Sequence, residues 1–136
     1  YELGLIPAFK WKLEQIQDKH GIETTIKGEG QKIDIKKEFN IFLYRVVVEL
    51  LNNAIKHAKA KLIELEVRKE KKFYYISVQD NGVGFNKQPK TKATMKGGFG
   101  LLSITERLDN IKGHLEIESE PGNGTKATVV IPNSED

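Results

Sequence analysis

Apolar positions at Ala8, Trp11, Leu13 and Ile16 recur near helical spacing after Leu3-Gly-Leu-Ile-Pro7, and Gly21 stops the pattern. This predicts a helix over Pro7 to His20. Ile22, Thr24 and Ile26 then alternate, so 22–27 reads as a strand, ended by Gly28-Glu-Gly30. Phe42, Val46, Val47, Leu50, Ala54 and Ile55 mark the apolar side of a long helix expected over Phe39 to Ala58, with Asn40 as its N-cap. Leu62 to Val67 and Phe73 to Val78 read as two strands of an antiparallel hairpin across the charged turn Arg68 to Lys72. Residues 85–98 carry Pro89, four lysines and almost no aliphatic side chain, and read as a long loop. Leu101, Ile104, Leu108 and Ile111 predict a further helix ending near Gly113. His114 to Ser119 and Thr125 to Ile131 form a last hairpin around Pro121-Gly-Asn-Gly124.

Paired strands interleaved with helices predict an α+β fold: a two-layer sandwich with a mixed, mostly antiparallel sheet covered on one face by helices. A doubly wound parallel sheet would need a crossover helix after each strand, which this order lacks. The 136 residues suffice for one domain over 1–136 with its own core. No apolar run approaches the roughly 18 residues of a membrane span. The chain has no cysteine, so disulfides, thiolate chemistry and cysteine-based zinc sites are excluded. A net charge of +3 is mild and its lysines are dispersed, which does not favour nucleic acid as a partner.

Three stretches could carry chemistry. On the long helix, Glu49, Asn53, Lys56 and His57 stand at i, i+4, i+7 and i+8 and share one side. For a helix taken alone, a solvated polar face is the ordinary reading. The functional one is a Mg²⁺–phosphate site, with an Asn amide and a Glu as hard oxygen ligands and Lys against a phosphate. In Val78-Gln-Asp80-Asn-Gly82-Val-Gly84, the Asn-Gly pair signals a hairpin turn, yet no second strand follows. Gly82 and Gly84 allow close approach of backbone to a ligand, and Asp80 could accept a hydrogen bond from an exocyclic amine. A turn with an Asx cap fits the same residues. In Lys96-Gly-Gly98-Phe-Gly100-Leu101, glycines run into a helix whose first N–H groups lack partners and favour anions. A hinge plus helix cap fits equally well.

Taken in order, these stretches resemble a known family. Glu49-Leu-Leu-Asn-Asn53-Ala, Asp80-Asn-Gly82-Val-Gly84-Phe and Gly98-Phe-Gly100-Leu101 look like the N box and the two G boxes of the gyrase/HSP90/histidine-kinase/MutL ATPase superfamily. Gly122-Asn-Gly124-Thr125 before Val129-Val-Ile-Pro132 resembles the closing strand of sensor histidine kinase catalytic domains. Leu101 to Thr125 and the opening Leu3 to Gln15 look like the subgroup that signals to NarL/LuxR-type response regulators. The resemblance spans essentially the whole chain.

It implies a Bergerat-type ATP-binding fold and transfer of the ATP γ-phosphate to a histidine. Asp80 would bond the adenine amino group, with Thr125 supporting that contact, and Asn53 would coordinate Mg²⁺. Glu49 matches the family's catalytic acid and is assigned to the Mg²⁺ and phosphate region. Lys56 and His57 would touch phosphate or ribose, and Gly82 and Gly84 would shape the pocket floor. Residues 85–98 would form an ATP lid, with Gly98, Gly100 and Leu101 bringing backbone amides to the phosphates. None of His20, His57 and His114 sits in an acceptor context. The acceptor histidine is therefore expected on a dimerisation domain outside this chain, with residues 1–8 a remnant of the linker to it. The parent would be a homodimer, this domain cytoplasmic and without membrane contact of its own, and a membrane-bound receptor is among the parents allowed. The rival is an anti-sigma-factor-type serine kinase, which shares these boxes. A binding module without catalysis fits less well, because Glu49, Asn53 and Asp80 are all present.

Overall fold

Strand-forming residues line up here so that one face of a sheet is apolar and the other polar. The computed structural model describes residues 4–28, 30, 37–57, 60–70, 72–82, 99–119, 122 and 124–132, without the side chains of 37, 38, 57 and 99–103. In chain order its elements are α1 (Leu5–His20), β1 (Glu23–Lys27), α2 (Lys37–His57), β2 (Leu62–Lys69), β3 (Phe73–Asp80), α3 (Phe99–Asn110), β4 (His114–Ser119) and β5 (Thr125–Pro132). The five strands form one sheet in the order β1-β2-β3-β5-β4. β1 runs parallel to β2, and every other pairing is antiparallel. The expected fold class is the observed one: a mixed, mostly antiparallel sheet under a layer of helices.

Register explains the two faces. Ile63, Leu65 and Val67 of β2 stand opposite Asp80, Val78 and Ile76 of β3, and these pair on with Thr125, Ala127 and Val129 of β5. Apart from Asp80 and Thr125 these are buried apolar side chains, and they meet Leu43, Val46, Val47, Leu50 and Leu51 of α2 in the core. Each such side chain contributes about 1.5–3 kcal/mol when fully buried, so this face holds the layers together. The alternate positions, among them Glu64, Glu66, Lys126 and Glu116, lie on the other face. That face carries a shallow open hollow lined by Glu66, Arg68, Tyr75, Ser77, Lys126 and Thr128.

Helix ends follow local chemistry. α1 stops at Gly21, which takes the left-handed conformation (φ 67°) and donates its N–H to the Gln17 carbonyl at 3.0 Å. The Gln17 side chain then accepts from both the Thr24 amide and hydroxyl at 3.3 Å, tying α1 to the edge strand β1. α2 packs on α1, β3 and α3. Phe9 of α1 stacks on Tyr44 of α2 (6.3 Å between centroids), and Arg107 in the last turn of α3 stands 5.9 Å over the Phe42 ring. Among the described residues no helix is long and apolar enough to cross a membrane.

Several expectations need correction. Trp11 does not belong to the buried stripe of α1; it is 56% exposed, whereas Leu5, Ala8, Phe9, Leu13 and Ile16 are buried. Two residues along a helix turn the side chain by about 200°, so Trp11 points away from Phe9 and Leu13. Asn40 is not an N-cap, because α2 already begins at Lys37 and Asn40 lies within its first turn. Ile55 is half-buried rather than fully in the core. α3 starts at Phe99, two residues before the expected start. The β2–β3 turn is tighter than the charged run suggests. Glu70 and Phe73 exchange hydrogen bonds of 2.9 and 3.2 Å, and Arg68 and Lys69 remain in the strand. There Arg68 lies 4.6 Å over Tyr75, a cation–π contact that suits a charged residue to a strand.

Phe9→Ala should cost about 3–5 kcal/mol of stability, as large aromatic truncations in cores do. Trp11→Ala should change it by no more than roughly 0.5 kcal/mol. Urea unfolding of the two variants checks the orientation of α1; equal losses would contradict it.

Candidate functional site

β3 is paired on both sides, so its last residue cannot turn to water along the sheet. That residue is Asp80, 6% exposed, opposite Ile63 on one side and Thr125 on the other. Its side chain shares the helix-covered face with Val78 and Ile76. The backbone amide of Gly82 donates to Asp80 Oδ1 at 2.8 Å, and the Thr125 amide also bonds the carboxyl. Burial raises the Asp80 pKa above its ordinary 3.8, and these two amide bonds oppose that rise without cancelling it. A carboxylate kept in a dry position beside two donated N–H groups is suited to receiving a further donor.

The turn after Asp80 is held from the neighbouring strand. Asn81 Oδ1 accepts from the backbone amides of Lys61 and Leu62, both at 2.9 Å, and the Asn81 N–H donates to the Leu62 carbonyl at 3.2 Å. Asn-Gly is thus not a hairpin turn here. It clamps the end of β3 to the start of β2 and leaves Gly82 positioned under Asp80.

On the other side, Gly124 (φ 81°) approaches so closely that a Cβ placed on it would stand 2.1 Å from the Asp80 carbonyl oxygen. Gly124, which the sequence pattern did not single out for close approach, has no room for a side chain here. Next to it Thr125 pairs across β5–β4 with Ser119. Their hydroxyls are 2.9 Å apart, and Ser119 Oγ also donates to the Gly124 carbonyl at 3.2 Å. Asp80, Thr125 and Ser119 therefore form one row across three strands.

The other candidates lie as follows. Glu49 and Asn53 are half-buried on α2 and Lys56 is exposed. Phe42 lies seven residues before Glu49 on the same line of the helix, and Arg107 covers it, so this side of α2 looks toward α3. His57 ends α2, and Gly100 and Leu101 fall in the first turn of α3, while the side chains of His57 and Leu101 lie outside the described residues. Gly84, Gly98 and the expected lid with its lysines also lie outside them. His20 is an exposed residue of the last turn of α1, and His114 sits on the open face with Nε2 2.9 Å from Glu116 Oε2. Among the described residues no group of three or more His, Cys, Asp or Glu forms a metal site. One Asn and one Glu a turn apart is nevertheless a donor set that suits Mg²⁺, which takes one or two protein oxygens and completes its shell with phosphates and water.

Sequence reading missed Asn81 as a clamp, Ser119 and the close approach of Gly124. Ser119 had a signal: in the last hairpin, strands ending at 119 and restarting at 125 place Ser119 opposite Thr125.

Because the folded pKa of Asp80 lies above its unfolded value, its favourable contribution is complete below 3.8 and is lost as pH rises through the folded value. Asp80→Asn keeps an acceptor for Gly82 and removes the charge. The variant should therefore gain stability relative to wild type as pH rises from about 4 to about 7, read by urea unfolding. A constant difference would contradict the burial argument. Gly124→Ala should destabilise by more than the ~1–3 kcal/mol of a left-handed non-glycine residue. Gly122→Ala, at φ 84° but with nothing within 4 Å of the added atom, should cost no more than that strain. Equal midpoints for the two would remove the contact with Asp80 as the cause.

Comparison with known proteins finds relatives along almost the whole chain. The chain is 34% identical over 131 residues to the signal transduction histidine-protein kinase/phosphatase DegS of Brevibacillus brevis, covering 96% of this chain and 33% of that protein. It is 33% identical over 137 residues to DegS of Bacillus subtilis, covering 98% of this chain and 35% of that one. It thus spans about a third of the length of these relatives. The histidine kinase domain of a blue-light activated histidine kinase from Erythrobacter litoralis superposes with a TM-score of 0.77 at 18% identity, over 96% of this chain and 64% of that one. At that identity the likeness concerns the fold. Residues 38–135 match the model of the histidine kinase-, DNA gyrase B- and HSP90-like ATPases, and the chain belongs to that family.

Proposed function

We propose that this chain is the ATP- and Mg²⁺-binding catalytic domain of a two-component sensor histidine kinase. In that reading the γ-phosphate passes to a histidine on a dimerisation domain of the same protein, and from there to a NarL/LuxR-type response regulator. The observation that carries the nucleotide reading is the buried Asp80 carboxylate, set by two backbone amides at the end of a strand paired on both sides. The relatives named above are histidine kinases, which favours histidine over the serine acceptor of an anti-sigma-factor-type kinase.

The chain's own residues divide the work of phosphoryl transfer, which is mostly positioning and charge neutralisation. Asp80 accepts a hydrogen bond from the adenine amino group and fixes the base, while Thr125 supports that contact. Gly82 and Gly84 let the backbone approach the base. Asn53 and Glu49 would hold Mg²⁺, which when bound neutralises charge on the phosphates. Lys56 and His57, the last two residues of α2, would contact phosphate or ribose. Gly98, Gly100 and Leu101 would offer backbone amides to the phosphates where α3 begins. The acceptor histidine lies outside this chain in this reading, so the fragment binds nucleotide without phosphorylating itself. A homodimeric parent brings the acceptor helix to this domain.

Calorimetric titration with a non-hydrolysable ATP analogue and Mg²⁺ should show binding. Asp80→Ala should weaken it by roughly tenfold to a hundredfold, as expected for a lost hydrogen bond to a charged group. Asn53→Ala should abolish the Mg²⁺ dependence of affinity with little change in stability. Wild-type protein that takes up no nucleotide at millimolar concentration would sink the reading, and unaltered Mg²⁺ dependence would remove Asn53 from the site.

A further inference from the structure

Ser119 is the one member of the cross-strand row with no role so far. It is 3% exposed, so its hydroxyl is committed to protein partners. A serine hydroxyl has one proton and can accept as well as donate. The Gly124 carbonyl, 3.2 Å away, can only accept. Thr125 Oγ1, 2.9 Å away, can do either. Both contacts are hydrogen bonds in one arrangement alone: Ser119 donates to Gly124, and Thr125 donates to Ser119. The Thr125 proton is then spent inside the sheet, and what Thr125 presents outward is a lone pair.

We propose that Ser119 is a specificity-determining positioning residue, which fixes the Thr125 hydroxyl as an acceptor so that Asp80 and Thr125 together select a 6-aminopurine over a 6-oxopurine. This rests on the nucleotide reading above and deepens it. Asp80 and Thr125 are direct cross-strand partners on one face, and side chains so placed lie about 5 Å apart at Cβ. An ionised carboxylate accepts only. With Thr125 also fixed as an acceptor, the pair matches the two N–H groups of an exocyclic amine, directly or through a shared water. A 6-oxo oxygen would face two acceptors, and the N1–H that a 6-oxopurine gains offers one donor, from the adjacent ring atom, in place of the amine's two; such a mismatch is where discrimination arises. Without Ser119 the Thr125 hydroxyl could rotate and donate to that oxygen. Selectivity therefore depends on a hydroxyl that does not touch the base.

The test compares Mg²⁺-ATP with Mg²⁺-ITP, which differ in the group at position 6 and in the proton on N1, by titration of the full chain. Wild type should prefer ATP. Ser119→Ala should narrow the ATP-to-ITP ratio by about tenfold, the equivalent of one hydrogen bond, chiefly by improving ITP relative to ATP. Thr125→Val should narrow it similarly, and adding Ser119→Ala to Thr125→Val should change it no further, because Ser119 acts through Thr125. If Ser119→Ala does not fold, Ser119→Cys keeps the size and weakens the acceptor, and the same narrowing is expected. Equal weakening of both nucleotides, an unchanged ratio, or additive effects in the double variant overturns the proposal. Wild type that binds both nucleotides without preference overturns it while leaving nucleotide binding intact. Wild type that binds neither overturns the nucleotide reading itself, and this proposal with it.

Discussion

A carboxylate held out of water at the end of a strand paired on both sides is the constraint around which this domain is arranged. Burial penalises the charge on Asp80, and amides from Gly82 and Thr125 offset part of that penalty. The compensation requires the β3–β5 register to be correct to the residue, since a slip by one would turn Asp80 to the open face. It also requires backbone to come close on both flanks. Gly124 meets this need on one side by lacking a Cβ, and Asn81 does so on the other by substituting its amide for a strand partner. The apolar register of Leu65, Val78, Ala127 and their neighbours fixes the sheet under α2, and the same pairing carries Asp80 and Thr125 to the edge of that core.

The open face of the sheet follows a different rule. Glu64 lies 3.4 Å from Lys27, His114 pairs with Glu116, and Arg68 stacks on Tyr75. These are solvated contacts of small energetic weight. They leave the nucleotide reading to the helix-covered face, where the dielectric is lower and a single hydrogen bond discriminates more strongly.

How much of this could be read from the sequence depended on the distance between cause and effect along the chain. Long periodic segments such as α2 and the two hairpins announced themselves, because their patterns repeat over many residues. Trp11 was misplaced because hydrophobicity at roughly helical spacing was counted without its angle, and Asn40 because the helix was assumed to begin where its apolar stripe does. Strand ends at Arg68 and Lys69 were missed because charge reads as turn, whereas here the charged heads lie over tyrosine rings of the next strand. Asp80 stood out as a candidate because no second strand followed its Asn-Gly pair. Asn81, Ser119 and Gly124 act through partners in space: an amide twenty residues upstream, a hydroxyl across a hairpin and a carbonyl on another strand. Register, more than composition, makes such residues visible. Gly84, Gly98 and residues 85–97 were named from sequence and lie outside the described residues.

The Asn81 clamp has a consequence for which changes the domain can absorb. Its donors are the main-chain N–H groups of Lys61 and Leu62, so the side chains at those positions do not enter the contact. Evolution is free to vary the residue types there, with one exception: a proline at either position would delete a donor outright. The β2 entry is thus a stretch where sequence can drift widely while backbone chemistry cannot. A comparison of related chains by residue similarity would therefore overlook it, although it anchors the turn that presents Asp80.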